Sequence, residues 1–298
     1  MLGSVLSHPS KDMDLKGAAM AVLISVLWGA NTVVIKMGLE DAPPLRLACM
    51  RLVVGGVVIC LWAWATGRFV GFRVEPAEWR PLVLLGLLFS IQMAATNVGT
   101  WLTSAAHAAI LLNLYAVHTV VLAHFLIPGD RLTVRKLTGV LVAYSGIVLL
   151  GARQIARGSP TLLGDVVVTI AGVLLAERTI YLARAVQRLD PVKLLLTQAI
   201  VGTAVFIVVS ALVEPAPTRW TMRLAGSIAY QGVLISGFNF VVNLALLRRY
   251  RPSALSAFFL TQPIFGVIAA ALVAGDPLTP DLLIACAAVA VGIGLTSR

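Results

Sequence analysis

Long apolar stretches alternate with short polar breaks along the whole chain. Ten such stretches, numbered here as segments one to ten, fall near residues 15–37, 43–65, 80–101, 104–127, 134–152, 161–184, 191–213, 222–247, 252–273 and 281–296. A helix needs roughly 20 apolar residues to cross a hydrocarbon core of about 30 Å. The breaks often carry proline or glycine and leave no room for a separate water-soluble domain. The pattern predicts an all-α polytopic membrane protein with ten transmembrane helices.

Composition supports this prediction. Of the 298 residues, 59% are hydrophobic and only 12% are charged, whereas soluble domains carry about 25% charged residues. The net charge of +10 is explained by Lys and Arg concentrated in cytoplasmic loops, so it does not indicate nucleic-acid binding. The three cysteines lie within apolar stretches, lack metal-ligand spacing and are interpreted as packing residues.

The distribution of positive charge predicts the orientation in the membrane. If the N-terminus is cytoplasmic, the inner loops and helix ends carry fifteen Lys and Arg residues, against six at the outer ones. Cytoplasmic loops are the ones enriched in Lys and Arg. We therefore expect residues 1–14 to form a cytoplasmic N-terminal segment and both termini to lie in the cytoplasm.

Two polar connectors share the pattern Gly-Asp-x-Leu-Thr, at 129–133 and at 275–279. The offset of 146 positions also aligns segments four and five with segments nine and ten without a gap. This predicts two five-helix repeats, residues 15–152 and 161–296. Because five is odd, the second copy is inverted in the membrane. Inverted repeats are typical of secondary transporters, whose substrate site lies at the midplane between the repeats.

Several short motifs have the order expected of one transporter family. They are Trp28-Gly29-Ala30-Asn31 in segment one, Arg51 in segment two, Gly164-Asp165 opening segment six, Pro263 in segment nine and the two connectors. With these, the chain resembles the EamA family of the drug/metabolite transporter (DMT) superfamily over essentially its whole length. One departure is Ala116-Val117, where the family often has a proline in segment four, so that segment is expected to be straighter than segment nine.

The resemblance implies a ten-helix exporter of small metabolites with a central cavity, in the bacterial inner (cytoplasmic) membrane. Within the family, the chain resembles the bacterial aromatic amino acid exporters (YddG type). Polar groups are costly at membrane depth, so those in the segments are expected to face a cavity or a neighbouring helix. The substrate-binding candidates are Trp28, Asn31, Gln92, Asn113, Tyr115, His118, Gln231, Phe238, Asn239 and Gln262.

These candidates combine aromatic and neutral polar side chains, as expected for binding an amino acid with a sizeable apolar side chain. Phe238 follows Gln231 by seven positions, which predicts that both lie on one helix face. The alternative for any single amide is a hydrogen bond between helices, which stabilises by about 0.6 kcal/mol on average. For His118 the alternatives are packing and proton handling.

Three further residues have candidate roles. Pro263 is expected to be a hinge, because it would free the carbonyl of Phe259 and kink segment nine. Glu177 would bind a proton or the substrate's ammonium group, or else form an ion pair with a nearby arginine. Arg51 would attract a substrate carboxylate, or else pair with carbonyls at a helix end.

Motifs for other functions are absent from the sequence. It contains no His-Glu-x-x-His pair, nucleophile elbow or phosphate-binding loop, so no enzyme, cofactor or metal is predicted. We expect an alternating-access exporter of small metabolites, amino acids and aromatic ones among them, working as a monomer in the lipid bilayer. The alternatives are a multidrug exporter of aromatic cations and an intramembrane enzyme or binder. Proton antiport and facilitated diffusion both remain open.

Overall fold

A computed structural model describes residues 14–69, 73–126, 132–156, 158–250 and 261–296. Its regular elements are helices. In the first half of the chain they are α1 (Leu15–Leu39), α2 (Pro44–Ala65), α3 (Trp79–Leu102), α4 (Ala105–Asn113), α5 (Tyr115–Leu126) and α6 (Val134–Ala156). In the second half they are α7 (Leu162–Ala185), α8 (Pro191–Val213), α9 (Met222–Ala229), π-helix π1 (Tyr230–Asn239), α10 (Phe240–Arg249), α11 (Gln262–Ala269), π-helix π2 (Ala270–Ala274) and α12 (Pro280–Thr296).

Eight helical stretches are long and apolar enough to cross a membrane, with lengths of 20 to 25 residues. They correspond to segments one to eight. Segments nine and ten contain shorter apolar helices, Gln262–Ala274 and Pro280–Thr296. The first part of segment nine, residues 252–260, lies outside the described residues. The structure therefore supports an all-helical membrane protein, and the count of ten crossings stays a prediction.

Large apolar side chains cover much of the outer surface of the helices. Leu61, Leu141, Val148, Ile200 and Leu212 are each more than half exposed. Patches of this extent are rare on soluble monomers and mark surfaces that contact lipid or partners. The helices also bury apolar side chains against one another, so they are apolar on nearly every side. This is the pattern of helices that span a membrane.

Segment four is interrupted at Leu114, between α4 and α5. The side chain of Asn113 donates from Nδ2 to the carbonyl of Ala109 at 2.7 Å, and the N–H of Leu114 bonds to Leu111 rather than one residue further back. A side chain that takes a backbone carbonyl in this way competes with the helical hydrogen-bond ladder. Segment four is therefore interrupted even without a proline, while its predicted comparison with segment nine involves residues 252–260, which lie outside the described residues.

In the second predicted repeat, helix α11 begins at nearly the position that corresponds to the start of α5. Helix α11 starts at Gln262 and holds Pro263 in its first turn, where a proline costs no helical hydrogen bond. Tyr115, the first residue of α5, lies 147 positions before Gln262. The predicted effect of Pro263 on the carbonyl of Phe259 falls outside the described residues.

Close contacts between small residues hold the helices together. A Cβ atom on Gly139 of α6 would lie 2.7 Å from the carbonyl oxygen of Gly292 in α12, and one on Gly29 of α1 would lie 2.7 Å from that of Gln262 in α11. Small residues allow such backbone approach, which drives helix association inside a membrane. The residues next to these glycines therefore keep a fixed position relative to the facing helix.

The contacts between helices reflect the two predicted repeats. When each segment is exchanged with its counterpart five segments away, one contact maps onto another. Segments five and ten, as α6 and α12, pack on each other, and so do segments two and seven, as α2 and α8. The contact of α1 with α11 has its counterpart in the contact of α7 with α4 and α5. A central space remains between these pairs.

Candidate functional site

A cavity of about 140 Å³ lies in the middle of the bundle, lined mostly by apolar side chains with a few polar ones among them. This mixed lining is typical of binding sites for small molecules. Seven of the residues singled out in the sequence line it: Trp28, Asn31, Arg51, Gln92, Asn113, Tyr115 and Gln262. They come from five different segments, one, two, three, four and nine.

Six other sequence candidates do not line this cavity. His118 is buried and packs against Tyr144, with ring centroids 5.5 Å apart. Asn239 is buried and donates to the carbonyl of Ile24 at 3.2 Å. Pro263 is buried at the start of α11, next to the lining residue Gln262. The remaining three, Gln231, Phe238 and Glu177, are described below.

Gln231 and Phe238 do not share a helix face. Gln231 is fully buried, whereas Phe238 is 36% exposed and is not among the residues that line the cavity. Both lie in π1, whose hydrogen bonds join residues five apart and so widen each turn. A spacing of seven residues returns to the same face in an α-helix but not in this π-helix. The predicted apolar wall at Phe238 is therefore wrong.

Residues that the sequence reasoning missed complete the lining. Arg178 is the most informative of them, since it is a charged residue in the middle of an apolar segment. The sequence interpretation gave the functional role in this segment to its neighbour Glu177, which is only half-buried and does not line the cavity. The other missed polar or aromatic lining residues are Thr32, Phe89, Thr96, Thr179, Phe240 and Asn243.

The guanidinium group of Arg178 is held in a fixed orientation. Its Nε and Nη2 atoms donate to Oε1 of Gln198, at 3.0 and 2.5 Å. The amide of Gln198 is itself fixed, because its Nε2 donates to the carbonyl of Leu194 at 2.9 Å. The guanidinium carbon lies 4.4 Å from the ring centroid of Phe89 and 5.7 Å from that of Phe240. Such cation–π contacts stabilise an arginine away from water.

Arg51 is held by side chains of segment eight. Its Nη1 donates to Oε1 of Gln231 at 3.3 Å, and its Nε lies 3.4 Å from Oγ of Ser236. Gln231 in turn donates from Nε2 to Oγ of Ser227 at 2.8 Å. The predicted pairing of Arg51 with carbonyls at a helix end is wrong, because π1 brings these side chains beside it instead. Gln231 thus does not line the cavity itself but holds Arg51, which does.

The cavity carries positive charge that the described residues do not balance with a carboxylate. Arg51 and Arg178 are 3% and 6% exposed, and neither forms an ion pair within the described part of the chain. None of the described residues that line the cavity is acidic. A buried charge is costly unless an opposite charge or several hydrogen bonds compensate it. The site is thus suited to an anionic group of a ligand.

An amide in the wall keeps an unused hydrogen-bonding atom. Oδ1 of Asn31 is buried and makes no hydrogen bond within the described residues, whereas the amide of Gln262 interacts with the Tyr115 side chain. The close approach of α1 and α11 at Gly29 fixes Asn31 and Gln262 on adjoining helices. Buried polar groups are almost always paired, so a free acceptor in a cavity wall indicates a ligand contact. The ammonium group of an amino acid offers a partner for it.

Polar contacts tie the two halves of the chain together at the end of the bundle predicted to be outer. Asp41 accepts from Nε of Arg223 at 2.9 Å and from Oγ1 of Thr221 at 2.7 Å, and Nε of Arg219 lies 3.6 Å away. We call these four residues the Asp41 clasp. The hydrogen bond from Arg223, then that from Thr221, lowers the pKa of Asp41 to about 2. The carboxylate is therefore ionised at neutral pH.

A second tie at the same end involves Asp165. Its carboxylate accepts from Oγ1 of Thr103 at 2.5 Å and lies 3.0 Å from Nδ1 of His107. Glu214 similarly accepts from the N–H groups of Leu45 and Arg46, at the start of α2. These contacts join the starts of segments two and four to segment six and to the residue that follows segment seven.

A family comparison agrees with this architecture. The sequence profile of the EamA-like transporter family matches residues 15–152 and again residues 162–298. The chain belongs to the EamA-like transporter family. It is accordingly a multi-pass membrane transporter. The two matched stretches correspond closely to the two predicted repeats.

Individual relatives are distant but match over most of their length. The transporter YoaV of Bacillus subtilis is 20% identical over 275 residues, covering 91% of this chain and 93% of YoaV. A probable amino-acid metabolite efflux pump of Escherichia coli K12 is 26% identical over 287 residues, covering 90% of each. One solved crystal structure has the same fold, with a TM-score of 0.69 and 19% identity over 94% of this chain and 98% of that one.

Proposed function

We propose that this EamA-like transporter exports small metabolites that carry a carboxylate, amino acids and aromatic ones among them, across a bacterial inner membrane. The observation that carries the proposal is the central cavity, where two buried arginines and several amides meet the aromatic rings of Phe89, Phe240 and Trp28. Probable amino-acid metabolite efflux pumps among the relatives, at 26% identity, support the same substrate class. The YddG-type resemblance extends it to aromatic amino acids.

In this proposal each part of the substrate has a partner in the cavity. The carboxylate binds the guanidinium of Arg178 or Arg51, where charge-assisted hydrogen bonds are strong. The ammonium group donates to Oδ1 of Asn31, which is free to accept. The apolar side chain packs against the rings of Phe89 and Phe240, which lie 6.0 Å apart in an edge-to-face arrangement.

Transport follows if the two repeats rock around this cavity. The Asp41 clasp and the Asp165 contacts close the end predicted to be outer, and their release would open it to the periplasm. One monomer is sufficient, since the cavity is enclosed by helices of a single chain. An exporter of aromatic cations would require an acidic residue in the cavity, and Glu177 does not lie there.

The proposal is tested by uptake of labelled phenylalanine into liposomes that contain the purified protein, driven only by the substrate gradient. We expect saturable uptake that excess tryptophan blocks and ethidium does not. Uptake no greater than in empty liposomes, with and without an imposed proton gradient, would contradict it. Movement of ethidium without movement of phenylalanine would instead support the exporter of aromatic cations.

A further inference from the structure

The two arginines of the cavity are held by neutral groups. Arg178 bonds to the amide oxygen of Gln198, and Arg51 bonds to the amide oxygen of Gln231 and the hydroxyl of Ser236. An amide or hydroxyl oxygen orients a guanidinium group but leaves its charge uncompensated. The two residues therefore bring two positive charges to one space inside the membrane, where charges are costly.

Each guanidinium group also keeps hydrogen-bond donors unused. A guanidinium has five N–H donors. Arg178 uses Nε and Nη2, and Arg51 uses Nε and Nη1, in their bonds to described residues. This leaves Nη1 of Arg178 and Nη2 of Arg51 without a partner among those residues. Both side chains line the cavity, so a ligand can reach both.

From this we infer that the cavity prefers a metabolite with two anionic groups, such as a dicarboxylate, over a zwitterion or a monocarboxylate. The inference rests on the proposed function and narrows its substrate class. A zwitterion adds no net charge, so it leaves both arginine charges in place, and its ammonium group meets no described carboxylate in the wall. A ligand with two carboxylates neutralises both charges and fills both sets of unused donors.

The test is isothermal titration calorimetry of the purified full-length protein in detergent with three ligands that share an aromatic ring. They are 2-phenylsuccinate with two carboxylates, 3-phenylpropionate with one, and phenylalanine with one carboxylate and an ammonium group. We expect 2-phenylsuccinate to bind about tenfold or more tightly than either of the others, as one additional charge-assisted hydrogen-bonded contact predicts.

A substitution that supplies the missing counter-charge sharpens the test. Gln198→Glu places a carboxylate beside Arg178 and gives up the hydrogen bond from Nε2 to the carbonyl of Leu194. The new ion pair offsets this loss, so the variant should keep a Tm close to that of the wild-type protein while abolishing the preference for 2-phenylsuccinate. If Gln198 had only a structural role, the Gln198→Glu variant would not lose the preference for 2-phenylsuccinate while keeping its Tm. Gln187→Glu adds the same charge at an exposed position and should leave the preference unchanged.

The possible outcomes separate this inference from the proposed function. Equal affinity for 2-phenylsuccinate and 3-phenylpropionate would mean that both arginines hold one carboxylate, and would overturn the inference alone. Tightest binding of phenylalanine would also overturn it and would leave the amino acid proposal standing. Binding of none of the three ligands would contradict both.

Discussion

At the scale of single residues, Arg178 owes its place in the cavity to neutral neighbours. The Gln198 amide accepts two of its hydrogen bonds, and the rings of Phe89 and Phe240 lie against its planar group. A lysine would keep the charge but lose the forked hydrogen bonds and the stacking. Arg178 thus combines a fixed direction with an uncompensated charge, which is what recognition of a carboxylate requires.

The first prediction concerns this charge. Arg178→Gln should lower phenylalanine uptake about tenfold or more, because the substrate carboxylate loses a charge-assisted hydrogen bond. The measurement is initial uptake in liposomes at subsaturating substrate. Arg153→Gln removes the same charge from an exposed position on α6 and should leave uptake unchanged. Equal uptake by the wild-type protein and Arg178→Gln would show that Arg178 does not contact the substrate.

The second prediction concerns Oδ1 of Asn31, the acceptor in the cavity wall that has no hydrogen-bond partner among the described residues. Asn31→Ala removes Oδ1 and should weaken phenylalanine binding about two- to tenfold, the effect of one neutral hydrogen bond. It should leave 3-phenylpropionate binding nearly unchanged, since that ligand has no ammonium group. Titration calorimetry of both ligands makes the comparison. An equal loss for both would assign Asn31 to the shape of the cavity instead.

Much of this site could be predicted from the sequence, and the reason is physical. Trp28, Asn31, Gln92, Asn113, Tyr115 and Gln262 stand out because polar and aromatic groups are conspicuous within apolar segments. The sequence does not tell which way a side chain faces on a helix that is apolar all round. Glu177 and Arg178 are adjacent, and only the packed structure shows that the arginine faces the cavity.

At the scale of elements, irregular helices shape the site more than straight ones do. The break at Leu114 lies between the lining residues Asn113 and Tyr115, and π1 places Gln231 and Ser236 against Arg51. The sequence predicted the segments well, because apolar length is a strong signal. It missed the break and the π-helix, which depend on side-chain hydrogen bonds and on packing between helices.

The third prediction concerns the contact between α6 and α12. Gly139→Ala places a Cβ atom 2.7 Å from the carbonyl oxygen of Gly292, so the helices must separate. We expect a loss of stability of about 1–3 kcal/mol, the usual cost of overpacking, seen as a lower Tm in detergent. The matched control is Gly151→Ala on the same helix, where a Cβ meets open space. If both variants melt alike, the close contact is not what holds α6 to α12.

At the scale of the whole molecule, polar contacts join the two halves of the chain at one end of the bundle. The Asp41 clasp joins the α1–α2 connection to the start of α9, and Asp165 joins α7 to the α3–α4 connection. Each rests on a few polar side chains around one carboxylate, whereas α6 and α12 pack through close backbone contacts such as that of Gly139 with Gly292. An alternating-access transporter requires some contacts that persist through the transport cycle and others that break and re-form.

The fourth prediction uses the low pKa of Asp41. Because the pKa is lowered from 3.8 to about 2, the clasp stabilises the folded state fully above pH 3.8 and loses this contribution as the pH falls toward 2. Asp41→Asn should lower the Tm at pH 7, and its difference from the wild-type protein should shrink below about pH 4. Glu75→Gln, at an exposed position, should have little effect at either pH. A constant difference over this pH range would contradict the clasp.

The central claim is that one cavity, lined by Arg51 and Arg178, carries the substrate from one side of the membrane to the other. The most direct test places a cysteine at the lining residue Thr179, after Cys49, Cys60 and Cys286 have been replaced by serine. A membrane-impermeant thiol reagent is then applied to proteoliposomes from one side at a time. We predict labelling from both sides, with phenylalanine protecting against each. Labelling from one side only, or labelling that phenylalanine does not slow, would contradict the account.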